Sequence, residues 1–381
     1  MRILQVTPAF PPSGYGGVSA HVGSLASGLA RHGHDIWVAT TNRYDVSRVM
    51  AFAGPREFDG VRVYYAKAHW PSRYFFAPKV LGILERWIEH SDVVHVHDTR
   101  TFLGLAAYLT AKQSRVPFVV TCHGSLNRRT GSTLLKELHD HVVGKGLVTS
   151  AARVIALNEA ELSDMLDFGV PQEKIVVIPN AIPFAEGRIP QTRGKPEGQT
   201  LRIKTILYLG RIHPIKGIDR LIDAFALIAA RRSDCQLMVV GQNYGAQKGL
   251  VRKVREHGLQ RRVMFPGAVY GEEKARLLET ADVLVLPSYA DTFPLVVLEA
   301  FSARVPVVLS TTCGIARDLE KNNAALLGSS VSEFAEAIEL CLYDDSTAER
   351  LRRNGLHLLE TKYNWQHTLS QLETIYDEVL K

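Results

Sequence analysis

Cysteine is scarce in this chain, and none of it has metal-ligand spacing. Cys122, Cys235, Cys313 and Cys341 are scattered, with Cys122 and Cys235 in or beside apolar runs. That pattern speaks against a disulfide scaffold and fits buried thiols in a reducing compartment, hence the cytoplasm. No apolar run approaches the ~20 residues of a membrane span. The opening Met1-Arg-Ile-Leu-Gln-Val-Thr-Pro is broken by polar residues too early for a secretory signal. No Lys/Arg block with interleaved aromatics occurs, which disfavours nucleic acid as the partner served by a net charge of +6. Dispersed cations leave a solvated surface, anionic lipid or a phosphorylated small molecule. The G-x-G-x-x-G fingerprint is also missing after the first strand, against a nicotinamide or flavin enzyme.

What is present is an α/β pattern. Hydrophobic content of 46% and charged content of 22% describe a globular protein, and 381 residues suggest two domains. Short β-branched runs alternate with amphipathic stretches, as in parallel sheets covered by helices. Strands are expected at Ile3–Thr7, Ile36–Thr40, Val61–Tyr65, Val93–His97, Phe118–Cys122, Val154–Leu157 and Ile175–Ile178. A second set follows at Thr205–Leu209, Leu237–Val240, Val263–Phe265, Val283–Leu286, Val305–Leu309 and Ala325–Leu327. A helix from Ser19 to His32 should end at Gly33. Residues 184–200 are rich in Gly, Pro and charge and read as a linker between domains 1–183 and 201–364. Residues 365–381 have helical apolar spacing.

The segment Ala281 to Ala300 carries the most chemical information. Its apolar run breaks at Pro287-Ser288, as a buried strand does on emerging into a loop. Thr292 is expected to cap a helix with Pro294 in its first turn, and such a helix start is an anion seat. Asp291 and Glu299 flank it as carboxylates suited to sugar hydroxyls. Ligands of doubly wound sheets bind beyond the carboxyl ends of strands. There, Gly16-Gly17 permits close backbone approach to an anion. The loop Gly210-Arg211-Ile-His-Pro-Ile-Lys216-Gly217 offers two cations for a diphosphate, Arg gripping two oxygens and Lys adding a point charge.

Gly16-Gly17-Val18, Asp92-Val-Val-His-Val-His97, Thr121-Cys-His123-Gly124, Pro179-Asn180-Ala181, Gly210-Arg211…Lys216-Gly217 and Asp291…Glu299 follow one another along essentially the whole chain. Together they resemble the retaining glycosyltransferases of family 4, the group 1 glycosyl transferases. The resemblance implies the GT-B fold: two Rossmann-like doubly wound domains facing across a cleft, with a C-terminal helix (365–381) crossing back to the first. It implies a nucleotide-diphosphate sugar as co-substrate, with no bound cofactor, and a saccharide or lipid-linked acceptor. Gly16 and Gly17 would approach the donor diphosphate or the acceptor across the cleft, and His123 would lie beside the transferred sugar. Gly210, Arg211 and Lys216 would neutralise the diphosphate, Glu299 would hold the ribose, and Asp291 would contact the sugar ring. Gly267 to Tyr270 would cradle the base. Phe293 and the amides of Leu295 and Val296 complete the nucleotide-sugar set, and Asn180 joins His97 and Asp98 on the acceptor side.

Two departures stand out. The family's first carboxylate is usually Glu, one methylene longer than Asp291, and Pro294 has no N–H to offer where Gly is common. His95 and His97 share a strand face and could chelate a metal, but no third ligand or Asp-x-Asp pair accompanies them. The expectation is no metal, with His97 and Asp98 lining the acceptor cleft and His95 packed. With no carboxylate marked as nucleophile, retention points to front-face substitution aided by Arg211, Lys216 and the helix-start amides. The stretch Trp70 to Phe76 and the loop Asn127-Arg128-Arg129 leave two readings open, peripheral contact with the cytoplasmic membrane face or solvated loops. The competing functions are a GT-B sugar-nucleotide epimerase or hydrolase and a non-catalytic nucleotide-sugar-binding paralogue.

Overall fold

The computed structural model describes residues 1–14, 16–45, 48–69, 75–126, 140, 144–183 and 203–381. The expected linker 184–200 lies outside the described residues, as do Trp70 to Tyr74 and Asn127 to Arg129. Packing divides the chain into two units: Met1–Asn180 together with Trp365–Lys381, and Ala181–Asn364. No described helix is long and apolar enough to cross a membrane.

In the first unit, strands β1 (Arg2–Val6), β2 (Asp35–Thr41), β3 (Gly54–Phe58), β4 (Val61–Ala66), β5 (Val93–His97), β6 (Phe118–Thr121), β7 (Arg153–Ala156) and β8 (Ile175–Val177) form one sheet. Their order is β3-β4-β2-β1-β5-β6-β7-β8, parallel throughout except for β3 against β4. The order reverses between β1 and β5, and a doubly wound sheet opens a crevice at such a point. Val94 and Val96 of β5 and Val119 and Val120 of β6 are fully buried, as parallel strands covered on both faces by helices must be. Each fully buried Val or Leu contributes about 1.5–3 kcal/mol.

Strand β3 is the one that the sequence reading overlooked. Gly-Pro-Arg-Glu-Phe has no alternation, and its proline is tolerated because β3 is an edge strand. The missed signal lies just after it. Asp59 and Gly60 both have positive φ (47° and 77°), forming the two-residue hairpin turn that Asp-Gly favours.

The helix Trp365–Val379 packs on this unit. Leu369, Leu372, Ile375 and Tyr376 form its buried stripe. Gly28, on the helix Gly17–Arg31, lets it come close: a methyl there would stand 3.0 Å from Leu369 Cδ1.

The second unit holds β9 (Lys204–Leu209), β10 (Cys235–Val240), β11 (Val263–Gly267), β12 (Val283–Leu286), β13 (Val307–Ser310) and β14 (Leu326–Gly328). The order is β11-β10-β9-β12-β13-β14, all parallel, with its reversal between β9 and β12.

Candidate active-site residues

The two strands flanking the second unit's reversal deliver most residues expected to hold a donor. Near the end of β9, the buried Tyr208 donates its hydroxyl to the Arg211 carbonyl at 2.8 Å and pins the start of the loop. The Ile212 N–H donates to the Gln242 carbonyl at 2.8 Å, tying the loop to the chain after β10. Gly217 ends it in the left-handed region (φ 63°), where an added Cβ would stand 2.0 Å from the Pro287 carbonyl oxygen. Only glycine lets the β9 loop approach the β12 loop this closely.

The β12 loop is laced from both sides. The Tyr289 N–H donates to the Ile215 carbonyl and the Gly314 N–H to the Asp291 carbonyl, each at 2.8 Å. So held, Asp291 Oδ2 meets Lys216 Nζ at 2.5 Å, the side chains being 17% and 14% exposed. Arg211 is exposed, its guanidinium 5.6 Å from the Tyr244 ring centroid. Between the two cations, burial first and then the Arg211 and Lys216 charges lower the His213 pKa, so no third positive charge joins them at neutral pH.

The helix start differs from expectation. Thr292 is not its cap: the helix Leu295–Ser302 begins after Pro294, which takes the cap position with no capping side chain. A residue preceding proline is driven out of the α region, so Phe293 could not serve as the first helical residue. The N–H groups of Leu295 and Val296 therefore open the helix. Lys274 Nζ donates to Glu299 Oε1 at 2.5 Å, while Glu299 Oε2 is buried and has no partner among the described residues. Phe293 is 8% exposed and packs edge-to-face on Tyr363 at 5.7 Å, as part of the core. Gly267 (φ 98°) ends the edge strand β11, linked to the reversal only by way of β10, where its carbonyl accepts the Gly241 N–H at 2.8 Å. The neighbouring Tyr270 is 53% exposed.

In the first unit, Gly16 (φ 95°) caps the helix Gly17–Arg31 after β1. Asp98 after β5 and His123 after β6 are both non-glycine residues with positive φ, 73° and 49°. Such backbone costs on the order of 1–3 kcal/mol per residue and persists only where the surroundings hold it. Here the Asp98 N–H donates to the Thr121 carbonyl at 3.0 Å. The Gly124 N–H, next to His123, donates to the Glu161 carboxylate, which also accepts the Leu157 N–H at 2.8 Å.

His97 is 1% exposed and lies beneath His123, its Nδ1 3.0 Å from His123 Nε2. It is the last residue of a strand buried on both faces and meets His123 at the strand's carboxyl end. Burial, and after it the neighbouring imidazoles, hold both rings well below the usual histidine pKa and therefore neutral. Asp98 turns back into its loop, its Oδ1 accepting the Arg100 N–H at 3.2 Å, and burial raises its carboxyl pKa. Asn180 follows β8, with β6 and β7 between that strand and β5. Among the described residues, no three or more His, Cys, Asp or Glu side chains converge as metal ligands.

Residues 16–181 match the family described as Glycosyl transferase 4-like domain, and residues 193–357 that described as Glycosyl transferases group 1. A glycogen synthase from Mycobacterium tuberculosis is 30% identical over 99% of this chain and 94% of its own. The chain belongs to the family-4-type glycosyltransferases of group 1. Among solved structures, sucrose-phosphate synthase from Thermosynechococcus elongatus superposes with a TM-score of 0.81 at 23% identity, covering 99% of this chain and 98% of that one. The HepE protein of Anabaena, in complex with UDP-glucose, does so with a TM-score of 0.78 at 19% identity, covering 99% and 100%. With its two parallel-sheet units, this glycosyltransferase has the GT-B fold.

Two supporting residues of the glycosyltransferase escaped the sequence reading. Arg220, on the helix Ile218–Ala229, donates to the Pro287 and Ser288 carbonyls at 2.7 and 2.9 Å and to Ser310 Oγ at 3.0 Å, joining the loops after β12 and β13. Nothing in its spacing marks it. Glu161 stands three residues after the cap Asn158, whose Oδ1 accepts the Glu161 N–H at 2.9 Å. That capping-box spacing could have flagged its position, though not its reach to Gly124.

Proposed function

We propose that this glycosyltransferase moves a hexosyl group from a nucleotide-diphosphate sugar to an acceptor hydroxyl, with retention at the anomeric carbon and without a metal. The observation that carries this reading is the convergence of Lys216 and Asp291 at the β9/β12 reversal, on a loop that also presents Arg211. The leaving diphosphate gains negative charge as the C1–O bond breaks, and Arg211, Lys216 and the uncapped helix start are cationic or partly positive groups suited to it. A phosphate oxygen takes the place of Asp291 on Lys216, and the released carboxylate accepts from a sugar hydroxyl. Glu299 Oε2, buried without a donor among the described residues, supports the ribose role, because buried carboxylate oxygens ordinarily have partners. The UDP-glucose in the HepE complex supports the donor class.

Asp98 is committed to its own loop. This favours front-face substitution, in which a donor phosphate oxygen takes the acceptor proton, over double displacement. His123 then orients the sugar. The acceptor is a saccharide or lipid-linked saccharide, as in surface polysaccharide or glycolipid synthesis. All four cysteines are free and buried, which supports a cytoplasmic setting.

The test is calorimetry with uridine, guanosine and adenosine diphosphates, followed by NMR of the product's anomeric configuration. One nucleotide should bind, and the Arg211→Ala/Lys216→Ala double variant should lose it. Absence of affinity for all three, or an inverted product, would overturn the proposal.

A further inference from the structure

Beneath His123 five side chains with no part in the chemistry above form an unbroken line. His123 Nε2 is 3.0 Å from His97 Nδ1, and His97 Nε2 is 2.6 Å from Gln5 Oε1. Gln5 Nε2 is 3.3 Å from the Tyr376 hydroxyl, which is 2.7 Å from His95 Nδ1. His95 Nε2 ends the line on Thr121 Oγ1 at 2.8 Å. Gln5, His95, His97 and Tyr376 are each at most 1% exposed, so water does not substitute for a missing partner.

The amide of Gln5 sets the direction of the bonds. Its nitrogen can only donate, so the contact with Tyr376 takes a Gln5 amide proton, and the tyrosine hydroxyl is left to donate to His95 Nδ1. With its nitrogen committed to Tyr376, Gln5 turns its oxygen to His97, and a carbonyl oxygen can only accept. His97 must then carry its proton on Nε2. Burial, and after it the nearby rings, keeps it from holding a second proton, so its Nδ1 is bare. Facing that lone pair, His123 has to donate from Nε2.

We propose that Gln5 and Tyr376 are positioning residues which, through His97, lock His123 as the Nε2–H tautomer and leave Nδ1 as its one lone pair. That lone pair accepts a hydrogen bond from a sugar hydroxyl, whereas the opposite tautomer would present an N–H that can only donate to the hydroxyl oxygen. The inference rests on the reading that His123 touches the transferred sugar. It also gives the C-terminal helix a role beyond packing, because Tyr376 sets a proton position on a ring that it never touches.

Carbon–nitrogen spectra of the full chain labelled at histidine test this without substrate. The expected result is neutral Nε2–H for His97 and His123. In Tyr376→Phe the amide of Gln5 is no longer pinned, and both rings should become tautomer mixtures. Ile375→Ala, on the same buried face, controls for lost stability and should keep the wild-type signature. In the transfer assay, Tyr376→Phe should lower kcat on the order of tenfold with KM unchanged. Nδ1–H on His123, a Tyr376→Phe spectrum like that of the wild type, or an undiminished kcat overturns the proposal. The parent reading fails separately, if His123→Ala transfers sugar at the wild-type rate while the tautomer result stands.

Discussion

Lys216 and Asp291 lie 75 residues apart in the chain, yet the ammonium and the carboxylate meet at 2.5 Å. They meet because β9 and β12 are neighbours at the sheet's reversal and both chains leave the sheet on the same side. A cation expected to hold phosphate is thus already neutralised by the carboxylate expected to hold sugar, and on the proposed reading donor binding exchanges one partner for the other.

That exchange separates two variants. Lys216→Ala should lower turnover roughly 10²–10³-fold, as loss of a transition-state donor does. Asp291→Asn should also impair transfer but leave Lys216 without a competitor. An ion pair that still meets solvent is worth up to about 1 kcal/mol, so nucleoside diphosphate affinity should hold or rise by up to about fivefold. Calorimetry on both variants checks the sign, and a large loss of affinity in Asp291→Asn would contradict the exchange.

Gly217→Ala should destabilise the second unit. The new Cβ would fall 2.0 Å from the Pro287 carbonyl oxygen on a backbone with φ 63°, so the β9 and β12 loops must separate. A cost above ~2 kcal/mol should lower the melting midpoint by roughly 4–8 °C, together with donor affinity. Differential scanning calorimetry would settle it, and an unshifted midpoint would refute the close approach.

Arg220→Lys tests the joint between the loops after β12 and β13. A lysine cannot reproduce the planar fork that serves the Pro287 and Ser288 carbonyls and Ser310 together. The Ser288 carbonyl still accepts from Thr312 Oγ1, so the loss falls on the Pro287 carbonyl and should cost about 1–3 kcal/mol, read by urea denaturation. A midpoint equal to that of the wild type would show that the fork is dispensable.

Glu161 predicts a pH dependence. Burial raises its pKa to about 7 from an ordinary 4.5, outweighing the N–H groups of Leu157 and Gly124, which favour the charged form. The folded state therefore holds a proton that the unfolded state has released. The stabilisation is fully present below about pH 4.5 and is lost as pH rises towards 7. Melting curves of the wild type and Glu161→Gln, taken between those limits, should show a falling contribution in the wild type alone. Parallel curves would rule it out.

Local pattern was enough for much of the fold. Every strand read from apolar runs is present, with ends displaced by at most two residues, because parallel strands buried on both faces need uninterrupted β-branched sequence. The exceptions are equally physical: β3 is an edge strand without such a need, and Pro294 displaced a helix start that Thr292 seemed to mark. Glycine and basic residues after strands also showed which loops to read, since strand ends are where such sheets bind ligands.

Sequence could name Lys216, Asp291, His97 and His123, but not who touches whom. Composition fixes what a side chain can do, whereas strand order and buried contacts fix what remains for it to do. Only the tertiary structure turned Phe293 into the core, set His97 beneath His123, gave Glu161 to the Gly124 amide and ran a hydrogen-bonded line from Tyr376 to Thr121. Those contacts span 26 to 371 residues of chain, beyond the reach of any local signal.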